Sequence, residues 1–227
     1  MPTHPDPEFD PAPDLRAARR TLHALAELLM AGPQHRASGT IRLRVRSGGF
    51  ATVADPPVRL EGVHLIGPSG RAAVLGCTAT ELADAVGVTA GAPEGVYADT
   101  SGVGVNDALT GTALALSRLE DALQLGDLAL RTFAPDTEPV LWPEHFDVGI
   151  RLDEINYGVS PSDGHLSEPY AYVGVDPVPA DDFFAAPFGA TRTLNRCGDV
   201  AGVVAFFAEG RRRATGGAQP APPEAPD

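Results

Sequence analysis

His145 and Asp147 stand two residues apart in the segment LWPEHFDVGI, and Asp163-Gly164-His165 carries the same pair in reverse further along. Glu168 follows that second pair. Residues two apart on a strand share a face, so His145 and Asp147 would present an imidazole nitrogen and a carboxylate to one ligand, with Gly149 leaving room beside them. Were the two segments adjacent, His145, Asp147, Asp163, His165 and Glu168 would offer two imidazoles and two or three carboxylates. That inventory suits zinc, or a harder divalent ion if fewer nitrogens take part. It equally suits acid–base work by a histidine that a carboxylate orients. The plainer reading is turn chemistry, since Asp-Gly and Ser-Pro are turn dipeptides and an Asp there satisfies backbone donors. No spacing matches a metal motif such as H-E-x-x-H.

The second chemistry-bearing group is aromatic. Trp142, Tyr157, Tyr170 and Tyr172 fall within one short region. Such amphipathic rings line ligand pockets and protein interfaces, or form a second packing layer with their phenols bonded locally. Arg42, Arg44 and Arg46 alternate along a strand and read as a solvated face or an anion site. His23, His35 and His64 have no partner pattern and read as structural. No G-x-S-x-G nucleophile elbow is present. GVGVN, Gly102 to Asn106, fails the G-x-G-x-x-G spacing of a phosphate loop.

The composition narrows the field further. The 227 residues carry a formal charge of −13, which argues against nucleic acid and against an anionic membrane surface as partners. Every basic side chain is Arg, so neither a Schiff-base lysine nor a phosphate-loop lysine is present. Cys77 and Cys197 make no metal spacing, and a reduced, cytoplasmic chain is the expectation. The acidic, Pro-rich opening residues are not expected to act as a secretory signal, and no run approaches the roughly 20 apolar residues of a membrane span.

Hydropathy periods supply the elements that must position these residues. Residues 1–13 and 214–227 are rich in Pro, Gly and acid and are expected to be disordered tails around a single domain, 14–213. Leu15, Leu22, Leu25 and Leu29 share a helical face, with Gly32-Pro33 expected to end that helix. Alternation then predicts hairpin strands from Ile41 to about Leu75, and again over FDVGIRL and YAYVGV, where Tyr170 and Tyr172 oppose the aliphatic face. Thr78-x-x-Glu81 is a capping box for a short helix closed by Gly87. Leu109, Leu116, Leu123 and Leu130 predict a long helix starting near Asp107, and Asp199 caps a last one. No internal repeat is visible.

LWPEHFD, NYGVSPSDG, EPYAYVG and APFGA together resemble an uncharacterised family of soluble actinobacterial proteins. TLHALAELLMAGPQHRASGTIRLRV and AFFAEGRRR are similar to it too, so the resemblance spans about residues 15–213. It implies a cytoplasmic bacterial setting and one compact unit, and brings no activity, cofactor or site residues with it.

The expected fold is α+β: a mostly antiparallel sheet, or two small sheets, packed against three main helices. Two functions fit. One is a non-enzymatic accessory protein that binds a small molecule or a partner protein through Trp142, Tyr157, Tyr170 and Tyr172, with no cofactor. The other is a metal-dependent hydrolase or lyase with His145, Asp147, Asp163 and His165 as ligands and Glu144 or Glu168 as general base. Oligomeric state is left open.

Overall fold

A computed structural model describes residues 12–216. The expected tails therefore lie outside the described residues, apart from their innermost positions. The N-terminal helical rod runs through α1 (Ala12–Ala24), a π-helical segment (Leu25–Ala31) and α2 (Gly32–Ser38). The meander β1 (Leu43–Arg46), β2 (Gly49–Thr52), β3 (Arg59–Glu61), β4 (His64–Gly67) and β5 (Gly70–Ala73) follows, then α3 (Ala79–Val86). After a long loop come α4 (Ala113–Phe133) and a second meander: β6 (Val140–Trp142), β7 (Asp147–Leu152), β8 (Ile155–Ser160), β9 (Tyr170–Gly174) and β10 (Gly189–Thr193). α5 (Leu194–Cys197) and α6 (Val200–Ala214) complete the described chain.

The class is α+β with antiparallel pairing, as the alternation predicts. The sheet, however, is one continuous structure of ten strands in the order β10-β9-β8-β7-β6-β1-β2-β3-β4-β5. The small sheets of the sequence reading are fused where β1 pairs with β6 through Leu43 and Leu141. That seam joins residues nearly a hundred positions apart, so no local signal announces it. The order also reveals a topological repeat absent from the sequence. A helix, a five-stranded meander and a helix occur twice, and the two first strands meet antiparallel at the centre.

Helices cover one face of the sheet. α4 packs on β7 and β8, α6 on β9, and α3 on β4 and β5. The fit is tight where side chains are small: a Cβ on Gly126 of α4 would lie 2.6 Å from Val159 and 2.8 Å from Val148. The resulting core includes Leu116, Leu119, Leu123 and Leu130 of α4 and Val203, Phe206 and Phe207 of α6. Burying each such side chain contributes roughly 1.5–3 kcal/mol.

The helical bodies among the described residues number five rather than three. α3 has its expected capping box, with Thr78 and Glu81 bonding reciprocally and Gly87 closing it in the left-handed conformation. Asp199 caps α6 by accepting from Gly202 N at 2.9 Å. The long helix starts later than expected, at Ala113 behind a Thr112 cap. Leu109 is buried ahead of it, while Asp107 accepts from Gly104 N.

The first helix does not end at Gly32-Pro33. Gly32 N–H bonds back to Glu27 O, five residues away, and Pro33 falls at the start of α2, where no N–H is required. This shift strands the Leu28 carbonyl, whose i+5 partner would be the proline nitrogen. Gly91 N–H supplies the missing donor at 2.9 Å. Glu27 accepts from Ser101 N at 3.0 Å and Ser101 Oγ at 2.6 Å. The π-helical segment thus ties down the Gly-rich loop that precedes α4.

Candidate functional site

The face of the sheet away from the helices carries an open groove of about 1420 Å³ over β6 to β9. Strand alternation sends Val148, Ile150, Tyr157 and Val159 into the helix-side core. The residues between them, Asp147, Gly149, Ser160 and Tyr172, face the groove. Cross-strand register places Tyr172 opposite Gly158, and Gly158 opposite Gly149. The Tyr172 ring lies across both glycines. A Cβ on Gly158 would fall 2.5 Å from the ring's Cζ, and one on Gly149 would fall 3.0 Å from its hydroxyl.

Spanning the two glycines brings the Tyr172 hydroxyl to Asp147 Oδ2, to which it donates a hydrogen bond. Asp147 is only 7 % exposed, and its Oδ1 has no partner. Burial pushes the Asp147 carboxyl up to about 6, against the downward pull of the Tyr172 bond and of nearby His145. Tyr172 is itself held well above its ordinary value by burial and by the Asp147 charge.

A second phenol–carboxylate pair stands beside the first. Tyr170 donates to Asp163 Oδ2, while Asp163 Oδ1 accepts from the backbone N–H of His165 and Leu166 at 2.8 and 3.0 Å. The two tyrosine rings are 6.4 Å apart. His165 meets the edges of Tyr170 and Phe188 at 6.1 and 5.2 Å, and Phe188 lies 6.5 Å from Tyr172. Trp142 flanks the groove with the Arg42 guanidinium over its ring at 5.7 Å.

Arg19, on α1, closes one end. It donates to the carbonyls of Ser162 and His145, the latter at 3.0 Å. Both belong to unusual backbone: Ser162 has φ 152°, and Phe146, next to His145, has φ 53°. The guanidinium holds these two segments in place and, through them, the strand ends that carry Asp147 and Ser160. Burial lowers the Arg19 pKa, with Asp163 and Asp99 opposing that shift.

The metal-ligating set of the sequence reading does not assemble. Among the described residues, no three His, Cys, Asp or Glu side chains form a group that could hold a metal ion. His145 lies in the β6–β7 turn rather than on a strand and is 61 % exposed. Its Nδ1 pairs with Asp99 Oδ2 at 3.2 Å. Asp147 goes to Tyr172, Asp163 to Tyr170, and His165 packs against rings. Glu168 accepts weakly from Asn195 at 3.4 Å. The left-handed Phe146 interrupts the strand alternation at His145, and tyrosine hydroxyls occupy the carboxylates of Asp147 and Asp163.

The aromatic set divides as well. Trp142, Tyr170 and Tyr172 line the groove. Tyr157 points the other way, fully buried between Phe133 of α4 and Phe207 of α6 at 4.8 and 5.7 Å. Its place between Ile155 and Val159 in strict alternation carried that signal. Arg19, Asp99, Glu138, Asp176 and Phe188 also line the groove and escaped the sequence reading. Arg19 and Asp99 come from distant elements, whereas Glu138 and Asp176 lie two residues beyond β6 and β9, in step with Trp142 and Tyr172.

His23, set aside as structural, is buried behind the site. Its Nε2 lies 2.7 Å from Pro143 O and its ring stacks on Phe146 at 5.6 Å. Burial and the nearby Arg19 charge push it down to about 4, and Nδ1 has no partner. His23 therefore stays neutral and braces the turn from behind. No protein-family model matches the chain, and neither does any curated protein or solved structure.

Proposed function

We propose that this chain is a non-enzymatic, cytoplasmic accessory protein that binds a small organic molecule in the groove over β6 to β9. The observation that carries the reading is Asp147 Oδ1: a buried carboxylate oxygen without a partner, on the floor of a concave, aromatic-flanked surface. Buried polar atoms are ordinarily satisfied, and an unpartnered one beside a groove marks a place for a ligand's donor. The Tyr172–Gly149–Gly158 arrangement supports it, because two strand positions give up their side chains to hold one phenol in a set orientation. The free thiols Cys77 and Cys197 agree with a reducing setting. The metal-dependent hydrolase or lyase alternative would need His145, Asp147, Asp163 and His165 to share an ion, and each is turned to a different neighbour.

Trp142 is the single tryptophan of the chain and lines the groove, so its fluorescence reports occupancy. A panel of cationic, neutral and anionic metabolites screened by this signal is expected to give saturable changes for one class. Asp147→Ala, with its fold checked by circular dichroism, is expected to weaken that binding tenfold or more. Hits that bind Asp147→Ala as tightly as the parent chain, or a panel that never moves the emission, would overturn the reading.

A further inference from the structure

Resting on that reading of the groove, we infer that its ligand is a linear polyamine-type cation that spans the groove along the strands, one ammonium at Asp147 and another at the carboxylates of the opposite end. Charge gives the first argument. The groove is lined by Asp99, Glu138, Glu144, Asp147, Glu154, Asp163 and Asp176 against Arg19, Arg42 and Arg151. All three arginines are engaged: Arg19 with two backbone carbonyls, Arg42 over Trp142, and Arg151 with Glu154. Asp147 keeps a buried, unpartnered oxygen beside the groove, and Glu138 and Asp176 are exposed. The lining therefore asks for a positive ligand.

Position gives the second. Asp147 and Glu144 sit at the β6–β7 turn. Glu138 precedes β6 and Asp176 follows β9, which places both at the other end of the strands. With β-strands rising about 3.3 Å per residue, the four to six residue levels between the ends amount to roughly 13–20 Å. That is the reach of an extended tri- or tetramine and far more than that of one ammonium group. The stretch between the ends presents Gly149, Gly158 and the Tyr172 ring. This floor suits methylene segments, and the part-exposed ring of Tyr172 suits an internal ammonium. A single metal ion would need its ligands gathered at one point, which the described residues do not offer.

Calorimetry on the full chain with spermine, alongside butylamine, tests the inference, with Trp142 emission as a second readout. One spermine per chain is expected, with affinity falling tenfold or more in Asp147→Asn and again in Asp176→Asn or Glu138→Gln. Butylamine should bind weakly and ignore the Asp176 and Glu138 changes. The last two positions are exposed, so those variants stay informative even if Asp147→Asn misfolds. Uptake of several spermines, unchanged in all three variants, would mark diffuse attraction to an acidic chain and overturn the inference. Binding of an Arg- and Lys-rich peptide while free spermine fails would overturn it too. If spermine fails but a neutral or anionic compound binds with Asp147→Ala sensitivity, the polyamine falls and the groove reading stands. If no compound of any class changes Trp142, both fall.

Discussion

Asp147 and Tyr172 set each other's chemistry. The phenol donates to one carboxylate oxygen, and that bond favours the ionised acid while burial opposes it. Tyr172→Phe removes the favourable part and leaves the burial, so the Asp147 midpoint is expected to move above about 6. A carboxyl ¹³C titration by NMR in the parent and variant chains reads this directly, and an unmoved or lowered midpoint would contradict the assignment. At this scale the sequence was half legible. Alternation over YAYVGV correctly put Tyr170 and Tyr172 on the face away from the aliphatic residues. It misled for His145, because a single left-handed residue, Phe146, breaks the period. Side chains are assigned to faces by counting in twos, and the count fails wherever the backbone turns. The partners Asp99 and Arg19 reach the site from other elements, where no local pattern could announce them.

Elements were legible wherever their ends are chemically punctuated. Thr78 with Glu81, Gly87 and Asp199 each acted as the capping rules require. Two ends went otherwise: α4 starts behind Thr112 rather than near Asp107, and at Gly32-Pro33 a π-helical shift moved the proline to a position that needs no N–H. That same shift makes Gly32 a test of packing against propensity. Glycine to alanine inside a helix ordinarily stabilises by about 1 kcal/mol. Here the added Cβ would collide with the Gly91 carbonyl, lying only 2.8 Å from its carbon, with backbone on both sides of the clash. Gly32→Ala is therefore expected to destabilise by about 2–4 kcal/mol in urea unfolding. The disturbance should spread to the loop, because Gly91 N–H is the donor to Leu28 O. A stabilised variant would mean that the loop yields and the π-helical segment does not depend on it.

Across the whole molecule, the doubled topology yields one sheet with two differently charged halves on its open face. Register lines up Arg44, Arg59 and Arg71 across the first meander, while the acidic groove occupies the second. The Arg44 face was readable from its strand's alternation, but the strand order was not, because it is fixed by the β1–β6 seam and not by any one strand. The same fold buries ionisable groups that link its stability to pH. His23 is depressed to about 4, so the stability gained by keeping it neutral is present above about 6.5 and is lost as pH falls toward 4. Asp147 and Glu120 act with the opposite sign. Their folded values, raised to about 6 and about 7, mean that the folded state holds their protons more tightly than the unfolded chain. Their contribution is complete below about 4 and disappears as pH rises through 6 and 7. Glu120, on α4, is 5 % exposed with Oε1 unpartnered, and burial dominates its shift. At pH 8 it must remain ionised in that setting, whereas a glutamine carries no charge to desolvate. Glu120→Gln is thus expected to raise unfolding stability by about 1–3 kcal/mol at pH 8 and to add nothing at pH 4, where the parent carboxyl is already neutral. Urea titrations at the two pH values measure the difference. An equal gain at both would show that Glu120 acts through shape alone, and a loss at pH 8 would show that its carboxylate has a partner worth keeping.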